Sequence, residues 1–214
     1  MKLLLTAFEP FGGETVNPAQ LAVQALPERV DEVELLRCTV PVEFGRAVQV
    51  VCAAIEQHQP DAVLCVGQAG GRAAITPERV AINCDDARIP DNAGAQPVDR
   101  PVAADGPAAY FATLPIKAMA AAIRQAGVPA AVSNTAGTYV CNHLMYGVLH
   151  HLAQHRPGVR GGFVHLPFTA QQAEAHGPNT PGLPLEQLVA GLTAAVRAIG
   201  QTTADLAATE GAEC

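Results

Sequence analysis

Short apolar runs that alternate with segments of helical period constrain this chain more than any other feature. Lys2 to Phe8 reads as a buried strand, and Asn17-Pro18 opens a helix to about Leu26, with Asn17 as cap and Pro18 in the first helical position. Glu32 to Val40 follows as a second strand. Phe44, Val48, Val51 and Ile55 then recur at helical spacing until Pro60, and Ala62 to Val66 is a third, fully apolar strand. After the glycine-rich stretch Gly67 to Gly71, the pattern predicts a strand over Val80 to Asn83 and a long Pro-, Asp- and Gly-rich loop from Asp85 to Pro107. A loop of that length is usually functional. Ile116, Met119, Ala120 and Ile123 mark another helix, Ala130 to Ser133 a short strand, Cys141 to about His155 a helix, and Gly162 to Leu166 the last strand. The period of Leu185, Leu188, Val189, Leu192 and Val196 closes the series. Strands alternating with helices imply an α/β fold with a mostly parallel sheet covered on both faces, in which ligands gather at the carboxyl ends of the strands.

The chain has 214 residues, enough for one core without disulfides or a structural metal. The expectation is a single domain over residues 1–200, followed by a flexible tail over 201–214. Hydrophobic residues make up 49% and charged residues only 15%, which argues against disorder and leaves apolar surface for a homo-oligomer. A net charge of -7 with 13 Lys plus Arg, and no Trp, offers neither a footprint for a phosphate backbone nor a stacking platform, so nucleic acid is not an expected partner. The run Leu3 to Leu5 is too short for a signal peptide or a membrane span, which points to a soluble cytoplasmic protein.

Cysteines stand at 38, 52, 65, 84, 141 and 214 without a Cys-x-x-Cys pair, so no zinc ribbon or thioredoxin-like motif is present. Cys52 and Cys65, inside apolar runs, read as small buried hydrophobes. Cys141 differs. Ser133 to Asn142 runs from a strand end through a turn of small residues to a helix start. In that first turn the helix dipole and unpaired N–H groups favour a thiolate and can face an oxyanion. A buried structural cysteine is the competing reading.

A thiolate hydrolase also needs a proton carrier. His143 lies about 200° around the helix from Cys141, and His150 is also roughly opposite. His151 and His155 share a face but lack the glutamate of a zinc-binding His-Glu-x-x-His, and read as surface residues. His165 stands at the carboxyl end of a strand, where it is either a partner for Cys141 or a core histidine bonded to backbone. Glu78, beside the glycine-rich loop, is a candidate third member. Its alternative is a surface ion pair with Arg79 or Arg72. The glycines at 12, 13, 67, 70 and 71 form neither Gly-x-Gly-x-x-Gly nor a P-loop, which disfavours a dinucleotide site.

Several separate motifs in order now identify a resemblance. They are Phe8-Glu9-Pro10-Phe11-Gly12-Gly13 with Asn17-Pro18, the stretch from Gly70-Gly71-Arg72 to Asn83, Asp86 to Asn92, Ser133 to Asn142, and Gly162 to Phe168. Over nearly its whole length the chain resembles the pyroglutamyl peptidase I family, cysteine peptidases that remove an N-terminal pyroglutamyl residue. The resemblance implies Cys141 as nucleophile, His165 as general base and acid, Glu78 as third member and Arg88 at the oxyanion. It also implies an α/β/α sandwich, often a homotetramer, with no metal or organic cofactor. Phe8, Phe11, Ile89, Tyr139 and Val140 would wall the pocket, and Asn17 and Gln68 would meet the lactam carbonyl. A backbone carbonyl near Phe11 would take the ring N–H. Ala7 and Tyr139 depart from the glycine and phenylalanine usual in the family. Two rival functions share the fold: a nucleoside phosphorylase, which the glycine loops' lack of basic residues disfavours, and a non-catalytic module that binds pyroglutamyl ends.

Overall fold

A computed structural model describes residues 1–211 of the chain. Its organising element is a six-stranded sheet in the order β2-β3-β1-β4-β8-β5. The strands are β1 (Lys2–Phe8), β2 (Arg29–Val30), β3 (Val33–Val40), β4 (Ala62–Gln68), β5 (Thr76–Pro77) and β8 (Arg160–Leu166). Between the last two in chain order lie β6 (Val80–Ile82) and β7 (Ala109–Phe111), an antiparallel pair outside the main sheet. The four central strands run parallel, and the short edge strands β2 and β5 are antiparallel to their neighbours. Pro77 is tolerated because β5 is an edge and needs no second ladder.

Side chains of a strand alternate between the two faces of a sheet, and the core follows that period. Leu3, Leu5, Ala62, Leu64, Val66, Val164 and Leu166 face one side. There they meet α1 (Pro18–Ala25), α3 (Ile116–Gln125) and α6 (Leu185–Gln201). Leu4, Phe8, Val63, Cys65 and Phe163 face the other, against α2 (Arg46–His58) and α4 (Val140–His155). The sheet is therefore buried on both faces, as its apolar strands demand, and the architecture is a three-layered α/β/α sandwich. No helix of the described residues is long and apolar enough to cross a membrane.

Four local expectations are corrected. Ala130 to Ser133 is not a strand but an extended segment beside β5, joined by isolated bridges from Ile75 to Ala130 and from Glu78 to Ser133. Phe44 precedes α2 rather than lying in it, because Gly45 takes φ +71°, outside the helical region. Gly162 to Leu166 is not the final strand, since β9 (Phe168–Thr169) and β10 (Gly182–Leu183) form a small parallel pair around α5 (Ala170–His176). The start of α5 was legible as Thr169-x-x-Gln172, and both hydrogen bonds of that capping box are present. Cys52 is only partly buried, whereas Cys65 is fully enclosed.

The segment after α6 makes specific contacts as far as it is described; Cys214 lies outside the described residues. Pro115 gives α3 no side-chain cap, and the Asp205 carboxylate takes that place, accepting from Lys117 N at 3.1 Å and Ala118 N at 2.9 Å. A carboxylate there also meets the positive end of the helix dipole. Glu210 then pairs with Arg124, and its carbonyl accepts from Arg79 at 2.5 Å. Residues 202–211 are thus tied to α3 and to the residue next to Glu78. We expect Asp205→Ala to lower unfolding stability by about 1 kcal/mol, the usual worth of a helix cap. Urea melts of the two proteins would measure it, and an unchanged midpoint would show that this cap contributes nothing.

Candidate active site

The site assembles where β4 and β8 end. Gly67 and His165 are register partners across these strands and project to the face covered by α4. A Cβ on Gly67 would lie 3.2 Å from Cys141 Sγ and 2.7 Å from the Phe163 ring. The sulfur therefore sits directly over Gly67, on the face from which the His165 ring rises. Phe163, two residues before His165, packs against that ring at a centroid distance of 4.7 Å. Gly67 was only one of several loop glycines in the sequence. Its role became visible through register.

Glu78 reaches the site from the edge. Its N–H donates to Phe163 O at 2.9 Å and it bridges to Ser133, so backbone bonds on both sides hold it between β8 and the 130–133 segment. The side chain is completely buried, which replaces the surface ion pair considered from sequence. His165 Nδ1–H donates to Glu78 Oε1 at 2.6 Å, and Arg72 Nη1 donates to the same oxygen at 2.6 Å. Burial opposes ionisation of Glu78, yet the hydrogen bond and charge of His165, the nearby Ser133 hydroxyl and the Arg72 guanidinium outweigh it and hold the pKa below the ordinary carboxylate value. For His165 burial prevails, assisted by the Arg72 charge and opposed by Glu78, and its pKa is lowered. The imidazole is therefore neutral near pH 7. With the proton on Nδ1, Nε2 carries the lone pair.

Cys141 is the second residue of α4, and Tyr139 supplies no side-chain cap to the helix start. The thiolate expected at a helix start is opposed by burial, which pushes the thiol up to about 12, with the Glu78 charge adding to the rise and Arg72 opposing it. The partial charge of a helix start is small beside the loss of hydration.

The surroundings divide the remaining candidates. Tyr139 packs against Phe11 and Phe44, and its hydroxyl donates to Pro90 O at 3.0 Å. Phe44, read in the sequence only as part of a helical stripe, thus joins the aromatic group. Its N–H donates to Asp91 at 2.8 Å, a residue that also organises the Ala93 and Ala95 amides of the long loop. Phe8 and Val140 are buried in the core beneath, while Ile89 is 38% exposed. Asn17 caps α1 by accepting from Ala19 N and holds Glu9 O through Nδ2. Gln68 Oε1 is buried and has no hydrogen-bond partner among the described residues. Arg88 is exposed, on a loop pinned to the turn before the nucleophile by reciprocal bonds between Asp86 and Thr138. His143 turns away, between Asp85 at 2.8 Å and the Gly45 N–H at 2.8 Å. Among the described residues no group of three or more His, Cys, Asp or Glu converges to hold a metal.

The close packing over Gly67 generates a prediction. Gly67→Ala forces a methyl into the Phe163 ring and the Cys141 sulfur, and is expected to lower stability by about 1–3 kcal/mol. The displaced sulfur should also react with iodoacetamide at an altered rate. Melts and site-mapped alkylation with wild-type values would contradict the packing described.

Comparison with known proteins gives one answer by three routes. A model of the family described as pyroglutamyl peptidase matches residues 1–202. A pyrrolidone-carboxylate peptidase of Streptococcus pyogenes serotype M4 is 55% identical over 199 residues, 93% of this chain and 92% of that protein. The crystal structure of Bacillus amyloliquefaciens pyroglutamyl peptidase I superposes with a TM-score of 0.92 at 46% identity, covering 96% of this chain and 99% of that one. A mutant pyrrolidone carboxyl peptidase of the hyperthermophile Pyrococcus furiosus gives 0.88 at 38% identity, over 94% and 99%. With its fold, its paired Glu78 and His165, and these likenesses over nearly its full length, the chain belongs to the pyroglutamyl peptidase family.

Proposed function

We infer that the chain is a cysteine exopeptidase that hydrolyses the bond after an N-terminal pyroglutamyl residue and releases free pyroglutamate. The observation that carries the reading is the orientation of His165: Nδ1–H is spent on Glu78, so Nε2 is free on the face where the Cys141 sulfur sits. His165 takes the thiol proton as the sulfur attacks the carbonyl, and the helix-start N–H groups with Arg88 stabilise the oxyanion. His165 then protonates the leaving amine. A thioester to the pyroglutamyl group remains, and water activated by the same imidazole cleaves it. Glu78 keeps the ring in the useful tautomer and stabilises its transient charge.

Pyroglutamate is a neutral lactam, so its pocket needs apolar walls and few polar groups. Phe11, Tyr139 and Ile89 supply walls, with Phe8 and Val140 packed behind them. A buried polar atom without a partner favours a ligand that completes it, and Gln68 Oε1 is an acceptor suited to the ring N–H. In this reading Gln68 meets the ring N–H rather than the lactam carbonyl, in place of a backbone carbonyl near Phe11. Asn17, with Oδ1 engaged as the α1 cap, offers only its Nδ2 to the lactam carbonyl. The reading extends to peptides with N-terminal pyroglutamate as substrates, a cytoplasmic location, a single peptidase domain and a homotetramer. Exposed Val98 and Phe111, at 65% and 68%, supply apolar surface for association.

Release of a fluorescent amine from a pyroglutamyl amide, beside the prolyl amide, tests the reading. Wild type should turn over only the former, and Cys141→Ser should fall to background. Glu78→Gln should lose on the order of 10²- to 10⁴-fold in kcat, less than the cysteine variant. Because the His165 pKa is lowered, the base stays neutral below the ordinary imidazole value of 6.5, and the acid limb of kcat/KM should fall below that pH. No turnover by folded, reduced protein would overturn the peptidase reading.

A further inference from the structure

One guanidinium ties the segment that carries Glu78 to the turn that leads to Cys141. Arg72 follows the turn Ala69–Arg72, where its N–H donates to Ala69 O, and its side chain is 29% exposed against 0% for Glu78. Nη1 donates to Glu78 Oε1 at 2.6 Å and to Thr76 Oγ1 at 2.5 Å. Thr76 is the register partner of His165 across β5 and β8. Nη2 donates to Thr135 O at 3.1 Å, in the turn that leads from Ser133 to the start of α4 and Cys141. A planar fork can hold such a divergent set of acceptors, and a single ammonium cannot match its geometry.

We propose that Arg72 is a positioning residue of this site, which fixes the Glu78 carboxylate, the Thr76 strand and the Thr135 turn in one register and shares Glu78 Oε1 with His165. The proposal rests on the reading of Cys141, His165 and Glu78 given above. Two donors converge on Oε1, while Oε2, also buried, has no hydrogen-bond partner among the described residues. Without Arg72, the His165 bond is the one that remains on Oε1, and the carboxylate is held less firmly in register with the imidazole. The guanidinium also sets the charge balance. The charged and titratable groups that act on the pair are Glu78, Arg72 and, for the thiol, Cys65. A cation there disfavours imidazolium and favours thiolate, so it lowers both pKa values.

Removing the cation lets the His165 value rise, so the acid limb of the kcat/KM profile should move to higher pH. Arg72→Met is expected to lower kcat at the optimum by about ten- to hundredfold through misplacement, with KM changed by less than about threefold. Arg72→Lys keeps the charge and loses the fork, so its acid limb should stay near wild type while kcat falls partway. Arg72→Gln, which also lacks the charge, carries the same pH test if the methionine variant does not fold. Because Arg72 acts in part through Glu78, Arg72→Met and Glu78→Gln together should cost less than the product of their separate effects. An unmoved acid limb in both uncharged variants, or a raised KM with unchanged kcat, would overturn the proposal. So would full additivity in the double variant. Wild-type activity in Glu78→Gln would instead overturn the triad reading itself, so the two failures are separable.

Discussion

A carboxylate removed from solvent must be held by donors or it will take up a proton, and Glu78 is the point where that requirement shapes this protein. Its side-chain donors include His165 and Arg72, both on Oε1. To bring them there, β5 must close the sheet beside β8, the 130–133 segment must run along its outer side, and the Gly70-Gly71 turn must return Arg72. The rest of the site inherits its order from that arrangement. With His165 tethered through Nδ1, its ring is fixed on the face of the sheet where the Cys141 sulfur lies over Gly67.

The same burial acts on the Cys141 thiol. A helix start favours negative charge, but the sulfur is packed close to Gly67 and the sheet, and desolvation of a thiolate there costs more than the helix returns. In the proposed mechanism, proton transfer to His165 creates thiolate and imidazolium together, with the Glu78 anion and the Arg72 cation already in place to balance them.

Packing around these three residues serves the same end. Asn142 and His143, the residues after Cys141, turn to the neighbouring backbone. Asn142 pairs with Ile82 and Cys84, and His143 joins Asp85 to Gly45. These bonds lock the start of α4 to the long loop and to the start of α2, and so fix Tyr139, Phe44 and the Arg88 loop relative to the sulfur. The segment after α6 completes the other flank, since Glu210 reaches Arg79, the residue beside Glu78.

How much of this was legible in the sequence depends on the range of the forces involved. Strands β1, β3, β4 and β8 and helices α1, α3, α4 and α6 are written in local periodicity, because a buried strand must be apolar and a half-buried helix must repeat at 3.6. Cys141 at a helix start and His165 at a strand end were likewise visible as local positions. Glu78 was not distinguishable from a surface carboxylate by spacing alone, and only resemblance singled it out. Tertiary structure decided what depends on distant neighbours: that Gly67 must lack a side chain, that Arg72 and His165 share one oxygen, that Phe44 leaves its helix for the aromatic group, and that burial opposes a thiolate at Cys141. Periodicity records which face of an element is apolar, whereas a pKa and a hydrogen-bond partner are set by residues far away in the chain, brought together only when the sheet closes.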